Sequence, residues 1–298
     1  MTDSARVELY QARVNRAVDY VMRNLQHDLT LTKLAEVAHF SPFHFHRVFQ
    51  TSIGETTTEF VTRARFERAI LLMRSKREKA LTDIAMECGF RSLSNFSRGF
   101  KKRFLMSPAK ADLARLTQRL PPTTQAGALL KCAPAQLSLR VEKRPACSFF
   151  YKRVTGSYLK PQLLIEAYQR IDAWADAAGL AKPQSELIGM SQDDPQIVAL
   201  AKCRYDFCRT FIDASKLPKP PADISIGALP VSQWVICRVQ GDMTMVSQTW
   251  EYLFRQWLPA SGWQPASLPA MEVFHRRPEE IGWDQFDLDC CLPLMKLR

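Results

Sequence analysis

The sequence lacks the features expected of a membrane protein or of a secreted, disulfide-bonded one. No stretch of about eighteen consecutive apolar residues occurs, so no segment is typical of a membrane-spanning helix. The first residues, MTDSARVELYQ, contain no apolar signal core. None of the eight cysteines lies in a C-x-x-C pair, which argues against a metal or redox motif. We therefore expect a cytoplasmic protein with reduced, structural thiols, no bound metal and no membrane contact.

The sequence also lacks the common motifs of catalysis. It contains no G-x-S-x-G nucleophile elbow, no H-E-x-x-H zinc motif and no phosphate-binding glycine loop. These absences argue against the better-known hydrolases and nucleotide-dependent enzymes. We therefore expect a protein that is not an enzyme and that has no cofactor.

What the sequence does have is an uneven basic charge. The 298 residues carry a net charge of +11. Residues 1–116 hold 20 Lys and Arg against 12 Asp and Glu, whereas the remaining residues hold 21 against 18. A polyanionic partner would therefore be bound mainly by the first part of the chain. The length favours about two domains.

Residues 81–104 predict two short helices joined by a tight turn. Apolar residues recur there at helical spacing, and Gly89 supplies the left-handed residue that ends the first helix. Ser92 or Ser94 can cap the second helix, whose outward side carries amide, hydroxyl and basic groups. This arrangement is typical of a helix-turn-helix DNA reader, and an ordinary helical hairpin with a solvated basic face is the alternative.

The same unit occurs earlier in the chain, at residues 31–51. Its Phe45, Arg47 and Phe49 precede Phe96, Arg98 and Phe100 by 51 residues. Between the units, residues 57–73 predict a continuous amphipathic helix, roughly 25 Å long at 1.5 Å per residue. The second helix of each unit would be its reading helix, the helix that contacts DNA bases. Two reading helices joined by this long helix could enter successive major grooves, about 34 Å apart, on one face of DNA.

Residues from about 10 to 112 resemble the DNA-binding domain of the bacterial AraC/XylS family of transcription regulators. The strongest match is DIAMECGFRSLSNFSRGFKKRFLMSP, residues 83–108. The resemblance implies double-stranded promoter DNA and RNA polymerase as partners. It also implies base contacts by seven residues: Phe43, His46, Arg47, Leu93, Ser94, Asn95 and Arg98. The family usually has glycine after Phe104, where this chain has Leu105, and we expect a slightly altered docking of the second reading helix.

The chemistry of these side chains suits the implied roles. Arg47 or Arg98 could pair with guanine through two hydrogen bonds, and Asn95 could do so with adenine. Phe43 could pack on a thymine methyl group. Three consecutive basic residues more readily contact phosphate, which adds affinity without sequence information: Lys101, Lys102 and Arg103. The alternative for each residue is a solvated surface side chain.

Beyond a proline-containing linker at residues 117–135, the pattern changes to alternating apolar residues and aromatics. Residues 186–191 and 198–211 read as strands, and residues 158–179 read as a helix. The segment Arg-Val-Thr-Gly at 153–156 is echoed by Arg-Val-Gln-Gly at 238–241. We therefore predict a duplicated unit of strand, helix and two strands, with a cleft between the halves.

The sequence thus predicts a multidomain protein. An all-α first domain, residues 1–116, contains two helix-turn-helix units joined by a long helix. A linker, residues 117–135, leads to an α+β second domain, residues 136–298, built from the duplicated strand-helix-strand-strand unit.

The second domain resembles the GyrI-like effector-binding domain, with LPAMEVF and GWDQFDLDCCLPL among the matching pieces. The pairing of the two domains is that of Rob-like regulators. The resemblance implies a cleft for small, hydrophobic or cationic molecules, in which Glu272 matches the acidic position. Charge and cation–π attraction would hold such a cation. The candidate wall residues, for which core packing is the alternative, are Tyr158, Tyr205, Trp234, Trp263, Phe274 and Trp283.

The leading hypothesis is a sequence-specific transcription regulator that senses a small molecule. A second hypothesis comes from relatives of this domain that are small-molecule hydrolases. In such a hydrolase, Glu272 together with Tyr158 or Tyr205 would provide general acid/base catalysis. A third hypothesis is a DNA binder that uses no effector.

Overall fold

A computed structural model describes residues 3–75, 79–111, 137–180, 185–195, 197–213 and 217–296. The described residues up to 111 form one compact unit, and most of those from 137 onward form a second. The predicted linker at 117–135 lies outside the described residues. No helix in the described ranges has the length and apolar character needed to cross a bilayer.

The first unit is helical, as predicted. Its helices are α1 Asp3–Arg23, α2 Leu31–Val37, α3 Pro42–Ile53, α4 Thr57–Ser75, α5 Leu81–Glu87 and α6 Leu93–Phe104. The hydroxyl of Thr30 caps α2 by accepting from the amide of Lys33, and Ser92 caps α6 by accepting from the amide of Asn95. Gly89 ends the α5 turn with φ 82°, as its position predicted.

Helix α4 supplies part of the core of both helix-turn-helix units. Near its start, Phe60 packs edge-on against Phe49 of α3, with ring centroids 5.6 Å apart. One turn and a half later, Phe66 lies 6.0 Å from the rings of Phe96 and Phe100 of α6. Burial of such aromatic groups dominates core energetics, so α4 holds the two reading helices on one support.

Two arginines fasten α4 to its surroundings. The buried guanidinium of Arg63 donates to the carboxylate of Glu55 at 2.6 Å. Arg65 donates to the backbone carbonyl oxygens of Leu25 and His27, at 2.9 and 2.7 Å, in the turn that follows α1. Charge-assisted hydrogen bonds of this kind are stronger than neutral ones, so α4 has little freedom to shift.

Both reading helices, α3 and α6, end in a left-handed residue. Gly54 has φ 73° and Leu105 has φ 60°. Each donates its amide to the carbonyl oxygen four residues earlier, that of Gln50 or Lys101, at 2.9 Å. The leucine at position 105 therefore leaves the geometry of this turn unchanged, at the cost of a strained backbone.

Replacing Leu105 by glycine is expected to raise the free energy of unfolding by about 0.5–1 kcal/mol. The left-handed conformation costs a residue with a side chain about 1–2 kcal/mol, and part of this gain is offset by the greater entropy of unfolded glycine. Little apolar burial is lost, because Leu105 is 88% exposed. Urea unfolding followed by helical circular dichroism measures the change. The free energy of unfolding of Leu105→Asn should lie between those of the wild type and Leu105→Gly. That of Leu105→Val should be lower than both.

The second unit is α+β with one antiparallel sheet, in agreement with the predicted class. Its elements are β1 Leu139–Arg144, β2 Cys147–Thr155, α7 Gln162–Ala177, β3 Leu187–Ser191, β4 Arg204–Phe211, β5 Ser225–Leu229, β6 Ser232–Gly241, α8 Met243–Tyr252, β7 Trp263–Pro265, β8 Ala270–Phe274 and β9 Phe286–Lys296. The strand order is β1-β6-β9-β8-β3-β4-β2-β5, and β7 also pairs with β9. The strand predicted at 198–211 begins only at Arg204, because a 3-10 turn at Leu200–Lys202 precedes it.

Side chains from the two faces of this sheet enter different cores. Phe207, Phe274 and Cys290 pack in a cluster with residues of α7 and α8. Met271 and Cys291 pack in a cluster on the opposite face. Successive residues of a strand point to opposite faces. The adjacent residues Cys290 and Cys291 therefore point to opposite faces, and Glu272 shares the helix-covered face with Phe274.

Candidate functional site

The two reading helices share one register, although Ser92 forms a side-chain capping hydrogen bond and Ser41 does not. The constant spacing of 51 residues relates Ser41 to Ser92, Phe45 to Phe96, Phe49 to Phe100 and Gly54 to Leu105. These pairs are the amino-terminal caps, the two fully buried rings and the carboxyl-terminal caps. Because the register is fixed at both ends and on the inner side, each outward position of α3 has one counterpart on α6.

The structure brings the predicted DNA-contacting residues to the outer sides of these helices. Phe43 is 76% exposed, and Arg47 is also exposed. His46 is half-buried, and the neighbouring ring of His44 packs on Tyr10 and Phe40 of the same unit. On α6 the exposed residues are Leu93, Ser94, Asn95, Arg98, Lys101, Lys102 and Arg103. An exposed leucine and phenylalanine beside arginines form a surface able to meet bases and phosphates together.

Positive charge is concentrated on the second reading helix. The last turn of α6 holds three consecutive basic residues, Lys101, Lys102 and Arg103. The last turn of α3 holds no basic residue. Cations near a helix carboxyl terminus also interact favourably with the helix dipole. Attraction to phosphate is therefore expected to be stronger at α6 than at α3.

A half-buried carboxylate, that of Glu272, marks the candidate ligand site of the second unit. Tyr205 donates its hydroxyl to Oε2 of Glu272 at 2.6 Å, and the indole Nε1 of Trp250 donates to Oε1 at 3.0 Å. Burial raises the pKa of Glu272 above its ordinary value, and the two hydrogen bonds partly oppose that rise. Among the described residues no basic side chain forms an ion pair with Glu272. The carboxylate is therefore suited to meet a positive charge brought by a ligand.

A glycine on the neighbouring strand makes this arrangement possible. Gly189 of β3 lies directly opposite Glu272 of β8. A Cβ atom at Gly189 would lie 1.8 Å from the hydroxyl oxygen of Tyr205 and 3.2 Å from a ring carbon of Phe274. Only the absence of a side chain at this position lets the ring of Tyr205 reach the carboxylate.

A connected series of aromatic rings leads away from the carboxylate. The rings of Tyr205 and Phe207 are 5.1 Å apart, and Phe207 lies 6.2 Å from Phe274. Tyr168 of α7 continues the series at 5.7 Å from Phe207, and Trp283 packs on Tyr168 at 5.3 Å. The predicted wall residues Phe274 and Trp283 therefore belong to the same aromatic cluster as Tyr205, and the rings of Tyr205 and Phe274 are buried in the core of the helix-covered face, as the alternative of core packing predicts.

Two other predicted wall residues, Tyr158 and Trp263, lie outside this series of ring contacts. Tyr158 is 43% exposed and bonds through its hydroxyl with Ser191. Partial burial of that hydroxyl and the nearby charge of Glu272 raise the pKa of Tyr158. Trp263 in the short strand β7 is half-buried against the core of the helix-covered face.

Trp234 was wrongly expected in the cleft. Its side chain is only 1% exposed and packs on the opposite face of the sheet, with Ile188 and Met271. The strand alternation around Trp234 places Val235, rather than the tryptophan, in the core of the helix-covered face. Aromatic character alone could not distinguish the two faces.

The sequence-based prediction missed Trp250 and Gly189. Trp250 lies on α8 at an i, i+4 spacing from Phe254, and their rings are 6.0 Å apart. That spacing marks a shared helix face and could have pointed to Trp250. Gly189 had no such signal, since its role depends on the neighbour opposite it in the sheet.

Family models match both parts of the chain. The GyrI-like small molecule binding domain matches residues 138–295, and a helix-turn-helix domain matches residues 34–112. These two matches leave the region between residues 112 and 138 uncovered.

Individual relatives match one part or the other. An uncharacterized HTH-type transcriptional regulator from Haemophilus influenzae is 32% identical over 102 residues, 34% of this chain and 34% of that protein. A DNA gyrase inhibitor from Serratia proteamaculans is 29% identical over 154 residues, 51% of this chain and 95% of that protein. The C-terminal domain of AraT, a response regulator from Geobacillus stearothermophilus, is 30% identical, with a TM-score of 0.32 over 38% of this chain and 92% of that chain. This chain thus spans about a third of the length of the Haemophilus relative.

Proposed function

The chain belongs to the family of the GyrI-like small molecule binding domain and carries an AraC-type helix-turn-helix domain, and we propose that it is a sequence-specific, DNA-binding transcription regulator. The observation that carries this proposal is the pair of equivalent helices that expose arginines and an asparagine. Selection of bound fragments from genomic DNA tests it. We expect a motif with two half-sites about ten base pairs apart. Binding without sequence preference would favour a general DNA-coating protein instead.

The exposed residues on each helix have distinct proposed roles. Arg47 and Arg98 would each pair with guanine, and Asn95 with adenine. Phe43 would pack on a thymine methyl group. The basic residues in the last turn of α6 would contact phosphate, because Lys and Arg are attracted to phosphate on any DNA sequence.

Replacing Arg98 by alanine is expected to relax the preference at one base pair by about 1–3 kcal/mol. The reason is the loss of a two-hydrogen-bond contact to a single base. Binding titrations on the selected motif and on its single-base variants measure the change. Lys102→Ala is the matched control, because loss of a phosphate contact should weaken all sequences about equally. An equal loss on every sequence with Arg98→Ala would contradict base reading by Arg98.

For the second unit, we propose that the aromatic surface around Glu272 binds a small, hydrophobic and often cationic effector. A half-buried carboxylate that accepts hydrogen bonds on both oxygens, and that has no ion-pair partner among the described residues, favours a cation. The adjoining rings of Tyr205, Phe207 and Phe274 favour an apolar, flat or aromatic body. The effector would alter transcription only by favouring one state of the protein over another. RNA polymerase is the proposed protein partner in that step.

The order of the strands supports the proposal that this unit is duplicated. In the strand order, β6-β9-β8 is followed by β3-β4-β2, so each half contributes its three strands in mirrored sequence. Arg153 lies opposite Asp206 in the β2–β4 pair, as Arg238 lies opposite Asp289 in the β6–β9 pair. The proposed pseudo-twofold axis would pass near Gly189 and Glu272, where β3 pairs with β8.

A hydrolase is the second candidate function. The hydrogen bond from Tyr205 to Glu272 and the raised pKa of that carboxyl would suit acid/base chemistry. Turnover of an electrophilic ester or amide that disappears in Glu272→Gln, with DNA binding retained, would favour it. The named regulators among the relatives favour binding without turnover.

A further inference from the structure

The first reading helix carries an outward residue that sequence reasoning had left without a role. Gln50 is exposed, seven residues after Phe43 and three after Arg47. At 100° per residue, a separation of seven places Gln50 within about 20° of Phe43 around the helix axis, and about 10 Å further along it. These three side chains therefore lie in one row on the outer side of α3.

The length of this row matches the spacing of bases in DNA. A distance of about 10 Å corresponds to about three base-pair steps, so residues at its two ends can face different base pairs of one half-site. The side chain of Gln50 forms no hydrogen bond with any residue that the structure describes. Its amide is therefore available to an external partner.

The chemistry at this position differs between the two helices. The carbonyl oxygens of Gln50 and Lys101 both accept from the left-handed residue four positions later, so the two positions are equivalent. A lysine there adds affinity for phosphate on any sequence. A glutamine adds no charge, and its amide can give and accept a hydrogen bond at the edge of adenine.

We infer that Gln50 is a further base-reading residue, which sets the preference at the base pair beyond the one read by Arg47. This inference rests on the proposed function. The residue type favours adenine at that position. If Gln50 reads a base, α3 contributes mainly to discrimination between DNA sequences. The basic last turn of α6 then contributes most of the salt-dependent affinity for DNA.

Selection of bound DNA with Gln50→Ala and Gln50→Lys tests the inference. With Gln50→Ala we expect one position of the motif to lose its preference, by about 5- to 150-fold, without a change in salt dependence. With Gln50→Lys the same position should lose its preference while binding to unrelated DNA strengthens and its salt dependence steepens by about one ion. Thr51→Ala, an exposed change about 100° away on the same helix, is the matched control and should leave the motif unchanged.

Three results would overturn the inference. One is an unchanged motif with Gln50→Ala, and another is an equal loss of affinity on all sequences. The third is a wild-type protein that selects no motif, which would overturn the proposed function as well. The first two outcomes leave the proposed function standing, because the motif of the wild type would still be defined.

Discussion

Replacing Gly89 by alanine is expected to lower the free energy of unfolding of the helical unit by about 2–5 kcal/mol. The new Cβ atom would lie 2.1 Å from the backbone oxygen of Leu25 and 2.9 Å from Nε of Arg65. A backbone oxygen cannot move aside cheaply, and the positive φ of 82° adds about 1–2 kcal/mol of strain to a clash worth about 1–3. The change would also disrupt the hydrogen bond from Arg65 to Leu25.

Urea unfolding of the full chain can separate this effect from the second unit. All six tryptophans lie beyond residue 173, so tryptophan fluorescence follows only the second unit, while the helical signal includes the first. Gly54→Ala is the matched control, because Gly54 also has positive φ but has no atom within 4 Å of an added Cβ. It should cost only the strain of about 1–2 kcal/mol. Equal costs at the two glycines would refute the role assigned to the contact with Leu25.

Binding of a lipophilic cation to the second unit is expected to weaken about 10- to 100-fold in Glu272→Gln. A charge within about 4 Å of a carboxylate gains up to about 4 kcal/mol at an effective dielectric constant near 20, and part of this offsets desolvation. A quaternary arylammonium ion and its neutral carbon analogue form the matched pair of ligands. Isothermal titration calorimetry should show little loss for the neutral compound. A similar loss for both would show that the charge of Glu272 has no part in binding.

The affinities of the second unit for these two ligands should depend differently on pH. Burial raises the pKa of Glu272 above its ordinary value of 4.5, so the charged form is populated only at higher pH. Affinity for the cation should rise with pH through that raised pKa, and affinity for the neutral analogue should stay level. In the same range the folded state without ligand binds more protons than the unfolded state. The free energy of unfolding should therefore fall as pH rises, and Glu272→Gln should remove both effects.

The sequence was sufficient to predict the helical unit because its information is local and repeated. Caps such as Ser92, the buried pairs spaced at i, i+4 and the turn at Gly89 each act within a few residues. The clamp between Arg65 and Leu25 could not be predicted in the same way. It joins residues 40 positions apart, and nothing in their spacing indicates that an arginine will bond to a backbone oxygen.

The ligand site was only partly predictable for a related reason. Glu272 and Tyr205 were identified through a family resemblance, and their hydrogen bond agrees with that grouping. The choice among tryptophans failed because it depends on which face of the sheet each residue occupies. Trp250 and Trp234 are the same residue type, and the type alone does not separate them. Trp250 donates a hydrogen bond to the carboxylate of Glu272, whereas Trp234 is buried on the opposite face of the sheet.

The clamped α4 helix would give the proposed DNA-bound protein a direction along the duplex. Because α3 and α6 present different side chains and are fixed to one support, a single chain with the proposed function would distinguish the left half-site from the right. An inverted copy of the site would therefore orient the bound protein the opposite way along the promoter. One inserted base pair between the half-sites would turn one of them by about 35° and move it by about 3.4 Å. The arginine clamps oppose any matching twist of the protein, so the spacing of the half-sites would matter as much as their sequence.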